Sequence, residues 1–275
     1  MKDSTFEGKT IGFIGAGNIC EAIVKGLIAS GKVSPARIVA SDRRGERLAA
    51  LAEQYGITVS TKNFEVVRKS DVILLTVKPN DCEGVLKEIE SEMGNAKLLI
   101  SAMAGITTGY IKQSVPRPVP VMRVMPNTPA LIREGAIGLY HDPDASPDDK
   151  ALTLSLFESI GTVVTVDNEG LLDAVTGLSG SGPAYFFLLL EAFIEAGVSV
   201  GIPEEEAKTL TLQTALGAVR LAMESPKELG ELREMVSSPG GTTIAGLAKL
   251  EEMDTKAAII KAVEAATKRA GELRK

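Results

Sequence analysis

The chain has 275 residues, 44% hydrophobic and 24% charged, with a formal net charge of -6 and a pI near 5.1. That length and apolar content support one large domain or two ordinary ones with a proper core. The acidic balance excludes a surface built to neutralise nucleic-acid phosphates, and the two cysteines, Cys20 and Cys82, lack metal-ligand spacing, so neither a disulfide nor a metal site is expected.

The first ten residues hold Lys2, Asp3, Glu7 and Lys9 and no apolar h-region, which makes a cytoplasmic protein the expectation. The stretch Ile11-Gly12-Phe13-Ile14-Gly15-Ala16-Gly17-Asn18-Ile19-Cys20 then reads as a strand, a glycine turn and a helix start. Gly15 permits the tight turn, Gly17 lets backbone approach a pyrophosphate, and Cys20 stands where a Gly or Ala is usual. The phosphate would rest on the helix N-terminus.

From there to about residue 167, short apolar runs alternate with helical patterns, as βαβ units of a mostly parallel sheet do. Strands are predicted over 10–14, 38–41, 58–60, 72–77, 98–102 and 119–125, most of them continuously apolar as strands covered on both faces should be. Helices are predicted over 18–30 and 44–54, stopped by Gly31 and Gly56. Residues 136–140 and 162–166 read as two more strands at the sheet edge, antiparallel to the rest. Between them, residues 141–149 form an exposed acidic turn before a helix, with His141, the single histidine, as a surface residue.

Residues at strand ends are the candidates for chemistry, because ligands of open α/β sheets bind at the carboxyl edge. Asp42 lies 22 residues beyond Cys20, close to the roughly 20-residue spacing of a ribose-binding acid. Arg43 and Arg44 follow it, and paired guanidiniums suit a 2′-phosphate, so NADP(H) is favoured over NAD(H); an ordinary charged loop is the alternative. Thr76-Val77-Lys78-Pro79 and Ala102-Met103-Ala104 close the fourth and fifth strands and would line the cofactor, with Lys78 as either a phosphate or ribose contact or a plain strand-end lysine. Met125-Pro126-Asn127-Thr128-Pro129 reads either as a wall of the nicotinamide pocket or as a structural turn.

After Asp167 strand patterns vanish, so a first domain over 1–167 and an all-helical second domain over 168–275 are expected. Helices are predicted over 169–178, 183–200, 203–224, 226–235, 243–252 and 255–273, with Pro183, Pro203 and Pro226 in first turns. The candidate over 182–201 carries Glu191 and Glu195, which leaves an uncharged run short of the roughly 20 residues that span a bilayer. Burial against protein, including a second subunit, is expected instead. Gly177-Leu178-Ser179-Gly180-Ser181-Gly182-Pro183 reads as a close-packed turn. Ser237-Ser238-Pro239-Gly240-Gly241-Thr242-Thr243 opens a helix, and the amides of Gly241, Thr242 and Thr243 could hold a carboxylate; a well-capped turn is the alternative. With His141, the single histidine, in the exposed acidic turn, Ser-His or Cys-His catalysis lacks its base.

These motifs, together with the run Asp173-Ala174-Val175-Thr176-Gly177-Leu178-Ser179-Gly180-Ser181-Gly182-Pro183-Ala184-Tyr185, resemble the pyrroline-5-carboxylate reductase family over essentially the whole chain. The resemblance implies an N-terminal Rossmann domain and a helical domain that interlocks two subunits, often in rings of dimers. It implies hydride transfer from NAD(P)H to the C=N carbon of 1-pyrroline-5-carboxylate, giving L-proline. Gly240, Gly241, Thr242 and Thr243 would hold the substrate, with the Thr243 hydroxyl as the catalytic group near the ring nitrogen and Glu169 lining the same site. The cofactor would touch Ile14, Gly15, Ala16, Gly17, Asn18, Ile19, Asp42, Arg43, Arg44, Asn63, Thr76, Val77, Lys78, Pro79, Ala102, Met103 and Ala104. Two positions depart from the family: Met235 stands where many members have an Asn, and Cys20 replaces a smaller residue. A related class, the 3-hydroxy acid dehydrogenases, resembles the glycines at 177, 180 and 182 but needs a lysine where this chain has Phe186. Other imine reductases and a turnover-free nucleotide sensor are the remaining alternatives, and the second anion loop argues against the sensor.

Overall fold

The computed structural model describes residues 4–93, 97–115 and 118–275; of the N-terminal charges, Lys2 and Asp3 lie outside them. The order is β1 (Ile11–Ile14), α1 (Asn18–Ala29), β2 (Ile38–Ser41), α2 (Gly45–Tyr55), β3 (Thr58–Ser60), α3 (Asn63–Lys69), β4 (Val72–Leu75), α4 (Cys82–Ile89), β5 (Leu98–Ser101), α5 (Thr108–Gln113), β6 (Val121–Met125), β7 (Gly135–Tyr140), α6 (Pro147–Glu158) and β8 (Gly161–Val166). Then come α7 (Leu171–Val175), a π turn (Thr176–Gly180), α8 (Gly182–Ser199), α9 (Glu204–Glu224), α10 (Leu229–Met235), α11 (Thr242–Glu252) and α12 (Thr255–Glu272).

The eight strands form one sheet in the order β3-β2-β1-β4-β5-β6-β7-β8. The first six are parallel. β7 runs antiparallel to β6, and β8 pairs parallel to β7 through α6. β7 and β8 therefore both oppose the main direction, as the sequence suggests, although with each other they are parallel.

Two-residue alternation divides the strand side chains between two cores. Ile11, Phe13, Ile38, Ala40, Leu74 and Ile100 meet α1, α2 and α6 on one face. Ile14, Val39, Ile73, Leu75 and Leu99 meet α3, α4 and α5 on the other. This double coverage is why β1, β2, β4 and β5 are buried at every position and why their sequences are apolar runs. Pro147 opens α6 behind a Ser146–Asp149 capping box, so the acidic turn ends as a helix start.

The chain divides into two compact units, residues 1–181 with 265–275, and residues 182–264. The division follows Ser181 rather than Asp167 because α7 packs on β6 and β7 and stays with the sheet. The end of α12 also returns to the first unit: Lys275 N donates to Gly105 O at 2.7 Å, the Thr107 hydroxyl donates to Lys275 O at 2.7 Å, and Arg274 pairs with Asp173 at 3.2 Å. In the second unit α8 packs on α9. Pro203 caps α9 from outside and Pro226 precedes α10 by three residues, so neither sits in a first turn.

The expectation for the apolar helix needs correcting in length. The π turn joins α7 to α8, so Leu171–Ser199 is one 29-residue stretch with a window of mean hydropathy 1.2, long and apolar enough by composition alone to cross a membrane. It carries Glu191 and Glu195. Phe186, Phe187, Leu188 and Phe193 on it, and Leu210 and Val219 on α9, are more than half exposed. Such a surface on a single chain calls for a partner.

Where β7 and β8 begin, the backbones nearly touch. Gly161 has φ +156°, and a Cβ there would lie 2.0 Å from Gly135 O. The Gly161→Ala variant is expected to lose at least about 2 kcal/mol of stability, since backbone rather than a movable side chain must yield; urea denaturation measures it.

Candidate functional site

The turn after β1 depends on one conformation. Gly15 has φ +100°, and a Cβ on it would stand 2.8 Å from Val77 N and 2.9 Å from Thr76 O, so only glycine fits. The turn is tied down by Gly15 N donating to Ser41 O at 2.9 Å, Thr76 N donating to Ile14 O at 2.9 Å, and the Thr76 hydroxyl donating to Gly15 O at 2.6 Å. Gly17 caps α1 without a side chain, and the first helical bond runs from Glu21 N to Gly17 O. The amides before it are open to an anion. Open space beside Gly17 leaves room for that anion to approach.

A cavity of about 730 Å³ opens from this turn, a size that suits a dinucleotide. Of the expected cofactor residues, Gly15, Gly17, Asp42, Arg43, Arg44, Asn63, Thr76, Val77 and Lys78 line it. Ile14, Ala16, Asn18, Ile19, Pro79, Ala102, Met103 and Ala104 do not. Ala16 and Met103 are buried in the cores. Sequence reasoning missed Thr61, Asn80, Asp81, Gly84, Val85 and Glu88. The carboxyl-edge rule reaches Thr61, Asn80 and Asp81, which follow β3 and β4. Gly84, Val85 and Glu88 share one face of α4, whose apolar residues Cys82, Val85, Leu86 and Ile89 recur at helical spacing, a signal that could have marked it.

The charges around the cavity are largely paired. Asp42 Oδ2 accepts from Ala16 N at 3.0 Å and from the Arg44 guanidinium at 3.0 Å, while Oδ1 accepts from Arg44 N and Nε, both at 2.9 Å. A carboxylate has about four acceptor positions, and all of them are used. Asp42 thus braces the glycine turn through Ala16 N. The Arg44 hydrogen bond, with the two amides, holds the Asp42 carboxyl down to about 2 against the cost of burial. Arg43 is largely exposed and reaches Asp81 at 3.2 Å. Asn63 donates to Glu88 at 2.7 Å and accepts from the Ser41 hydroxyl at 2.8 Å.

Glu169 is also engaged: Thr108 N donates to it at 2.7 Å, the Thr108 hydroxyl at 2.9 Å, and buried Arg123 at 3.1 Å. His141 is half-buried rather than a surface residue. Its Nδ1 is shielded and lacks a hydrogen-bond partner, and burial, with Lys150 nearby, lowers its pKa. Cys20 is fully buried and Cys82 nearly so. Burial raises both thiols, Cys82 to about 11, so neither is a nucleophile. Among the described residues no His, Cys, Asp and Glu group could hold a metal ion.

In the second unit, Gly240 at φ +71° and Gly241 turn the chain into α11. Gly241 N already donates to Ser238 O at 2.9 Å, so the expected anion site reduces to the amides of Thr242 and Thr243 and one hydroxyl. Thr243 is half-buried, while Met235 at the end of α10 is exposed.

Two family models match the chain. Residues 169–273 match pyrroline-5-carboxylate reductase dimerisation, and residues 10–105 match NADP oxidoreductase, coenzyme F420-dependent. The chain is 43% identical to a pyrroline-5-carboxylate reductase of Methanosarcina acetivorans, covering 98% of this chain and 99% of the relative. It is 40% identical to one of Arabidopsis thaliana, covering 97% and 96%. A pyrroline-5-carboxylate reductase structure from Coxiella burnetii superposes with a TM-score of 0.91 at 38% identity, over 97% of this chain and 99% of that one. A pyrroline carboxylate reductase from Plasmodium falciparum, solved with NADP bound, gives 0.88 at 30% identity, over 98% and 99%.

The Asp42 brace has a pH signature. Its carboxyl is depressed in the folded protein relative to about 3.9 unfolded, so its stabilisation is present above about pH 4 and is lost as pH falls through about 2. An Asp42→Asn variant is expected to be about 1 kcal/mol less stable at pH 7, after allowance for solvent screening. The gap to the unsubstituted protein should close on acidification, as followed by chemical denaturation across pH.

Proposed function

The chain belongs to the pyrroline-5-carboxylate reductase family, and from that premise we propose that it transfers a hydride from NADPH to the C=N carbon of 1-pyrroline-5-carboxylate, yielding L-proline. The observation that carries the reading is the pair of anion sites in one chain, the glycine turn at α1 for a pyrophosphate and the Gly240–Gly241 turn at α11 for a carboxylate. A cyclic imine is basic enough to be protonated near neutral pH. The iminium carbon accepts the hydride pair, the C=N π electrons move to nitrogen, and the nitrogen keeps the proton it already holds. Catalysis then consists of positioning and electrostatics, which amides and the Thr243 hydroxyl supply. The amides of Thr242 and Thr243 would hold the substrate carboxylate. Phe186, in place of a lysine, supports imine reduction over alcohol oxidation.

NADPH is favoured over NADH because Asp42 has no free acceptor for a ribose 2′-hydroxyl, while Arg43 and Arg44 line the cavity. A 2′-phosphate would draw Arg43 from its exposed pair with Asp81, which holds it weakly. The helical unit, with its exposed Phe and Leu side chains, would make the homodimer, and rings of dimers could follow. An acidic chain whose two cysteines are free suits the cytoplasm.

Purified protein should oxidise NADPH when given pyrroline-5-carboxylate, and no turnover with either nicotinamide would sink the reductase reading. Thr243→Ala should lower kcat/KM by about 1 kcal/mol, roughly fivefold, and an unchanged value would remove that hydroxyl from the site. Replacing Arg43 and Arg44 together with Ala should weaken NADPH binding far more than NADH binding, and equal weakening in a direct titration would refute the 2′-phosphate role.

A further inference from the structure

The π turn at Thr176–Gly180 lies in a motif to which hydride transfer assigns no part. In an α-helix the carbonyl of Ser179 would accept from the amide of residue 183, but residue 183 is proline and has no N–H. A proline ring also crowds the carbonyl four residues back. The chain relieves both problems with a widened turn, in which Ser181 N donates to Thr176 O, five residues back, at 2.8 Å. Hydroxyls fill in as well: Thr176 donates to Leu172 O at 2.7 Å and Ser179 to Val175 O at 3.0 Å.

The missing donor for Ser179 O comes from far along the chain. Asn127 Nδ2 donates to it at 3.0 Å, while Asn127 Oδ1 accepts from Ala136 N at 2.9 Å. One amide side chain thus joins the end of β6, the start of β7 and the π turn. Met125, two residues before it, lies against Gly180, with its Cε 2.8 Å from where a Cβ on that glycine would stand. Val175 and Leu172 crowd Gly138 on β7 in the same way. The π turn is therefore seated on the carboxyl end of β6, next to β5 in the sheet, the edge at which a nicotinamide would lie.

We propose that Asn127 is a positioning residue for the reductase reaction: it replaces the hydrogen bond that Pro183 cannot make and so holds the π turn in place over the reacting end of the cofactor. The proposal rests on the reductase reading for its kinetic consequence. Within the Met125–Pro129 motif, the Asn127 amide is spent on protein rather than offered to a ligand.

The decisive variant is Asn127→Asp. As a neutral acid the new side chain can donate to Ser179 O and accept from Ala136 N, as the amide does; as a carboxylate it cannot donate and instead faces a carbonyl oxygen. Facing that oxygen in a half-buried site, its pKa should rise above the ordinary value. At pH 8 kcat/KM for the imine should fall on the order of tenfold relative to the unsubstituted protein at the same pH. Acidification to about pH 5.5 should shrink the deficit to within about threefold, because it restores the donor. NADPH affinity, read by nucleotide fluorescence, should stay within about twofold. A deficit that does not change with pH, or no deficit, overturns the proposal. Hydrogen exchange of peptides covering residues 171–182 needs no turnover: faster exchange in the variant at pH 8 is expected, and unchanged protection overturns the clamp. An inactive unsubstituted protein would instead end the reductase reading, and exchange alone would then decide the clamp.

Discussion

The position of β1 between β2 and β4 is the constraint on which the cofactor site depends. Successive crossovers run to opposite sides of β1, so the helices that follow β1 and β4 diverge and a crevice opens at the carboxyl edge. Gly15 sits at the floor of that crevice with the backbone of Thr76 and Val77 against it. A side chain there would push the two strands apart, and the amides at the head of α1 would no longer face a shared space. Most of the remaining polar groups of the cavity follow β2, β3 or β4, and Glu88 comes from α4.

The same economy explains the charges. An aspartate after β2 need not be a ligand, and here it is the brace that orders the glycine turn through Ala16 N. Ala16 N and Arg44 together take up its acceptor positions. Arg43 is held by an exposed pair with Asp81.

In the helical half the pressures differ. A long apolar stretch is interrupted by a proline, and the interruption is absorbed in a π turn rather than a break. The cost of an unpaired carbonyl is met by Asn127 from the sheet. The exposed apolar side chains of α8 and α9 are what a chain designed to bury that surface against a second copy would carry. Reading the same stretch as a membrane span requires only length and hydropathy, which is why composition alone separates the two meanings poorly.

Much was legible in the sequence, and for local reasons. Short continuous apolar runs with helical patterns between them yield the parallel sheet, glycines after the first strand yield a turn into a helix, and a Gly-Gly-Thr-Thr run yields a helix start, because each of these signals is carried by residues adjacent in the chain. What only the tertiary structure decided is which polar groups are already spent. Ala16 and Asp42 are 26 residues apart, Asn127 and Ser179 are 52 apart, and Thr108 and Glu169 are 61 apart. A hydrogen bond across such distances depends on where the sheet and helices bring two chain segments together, and nothing in the neighbourhood of either residue records its partner.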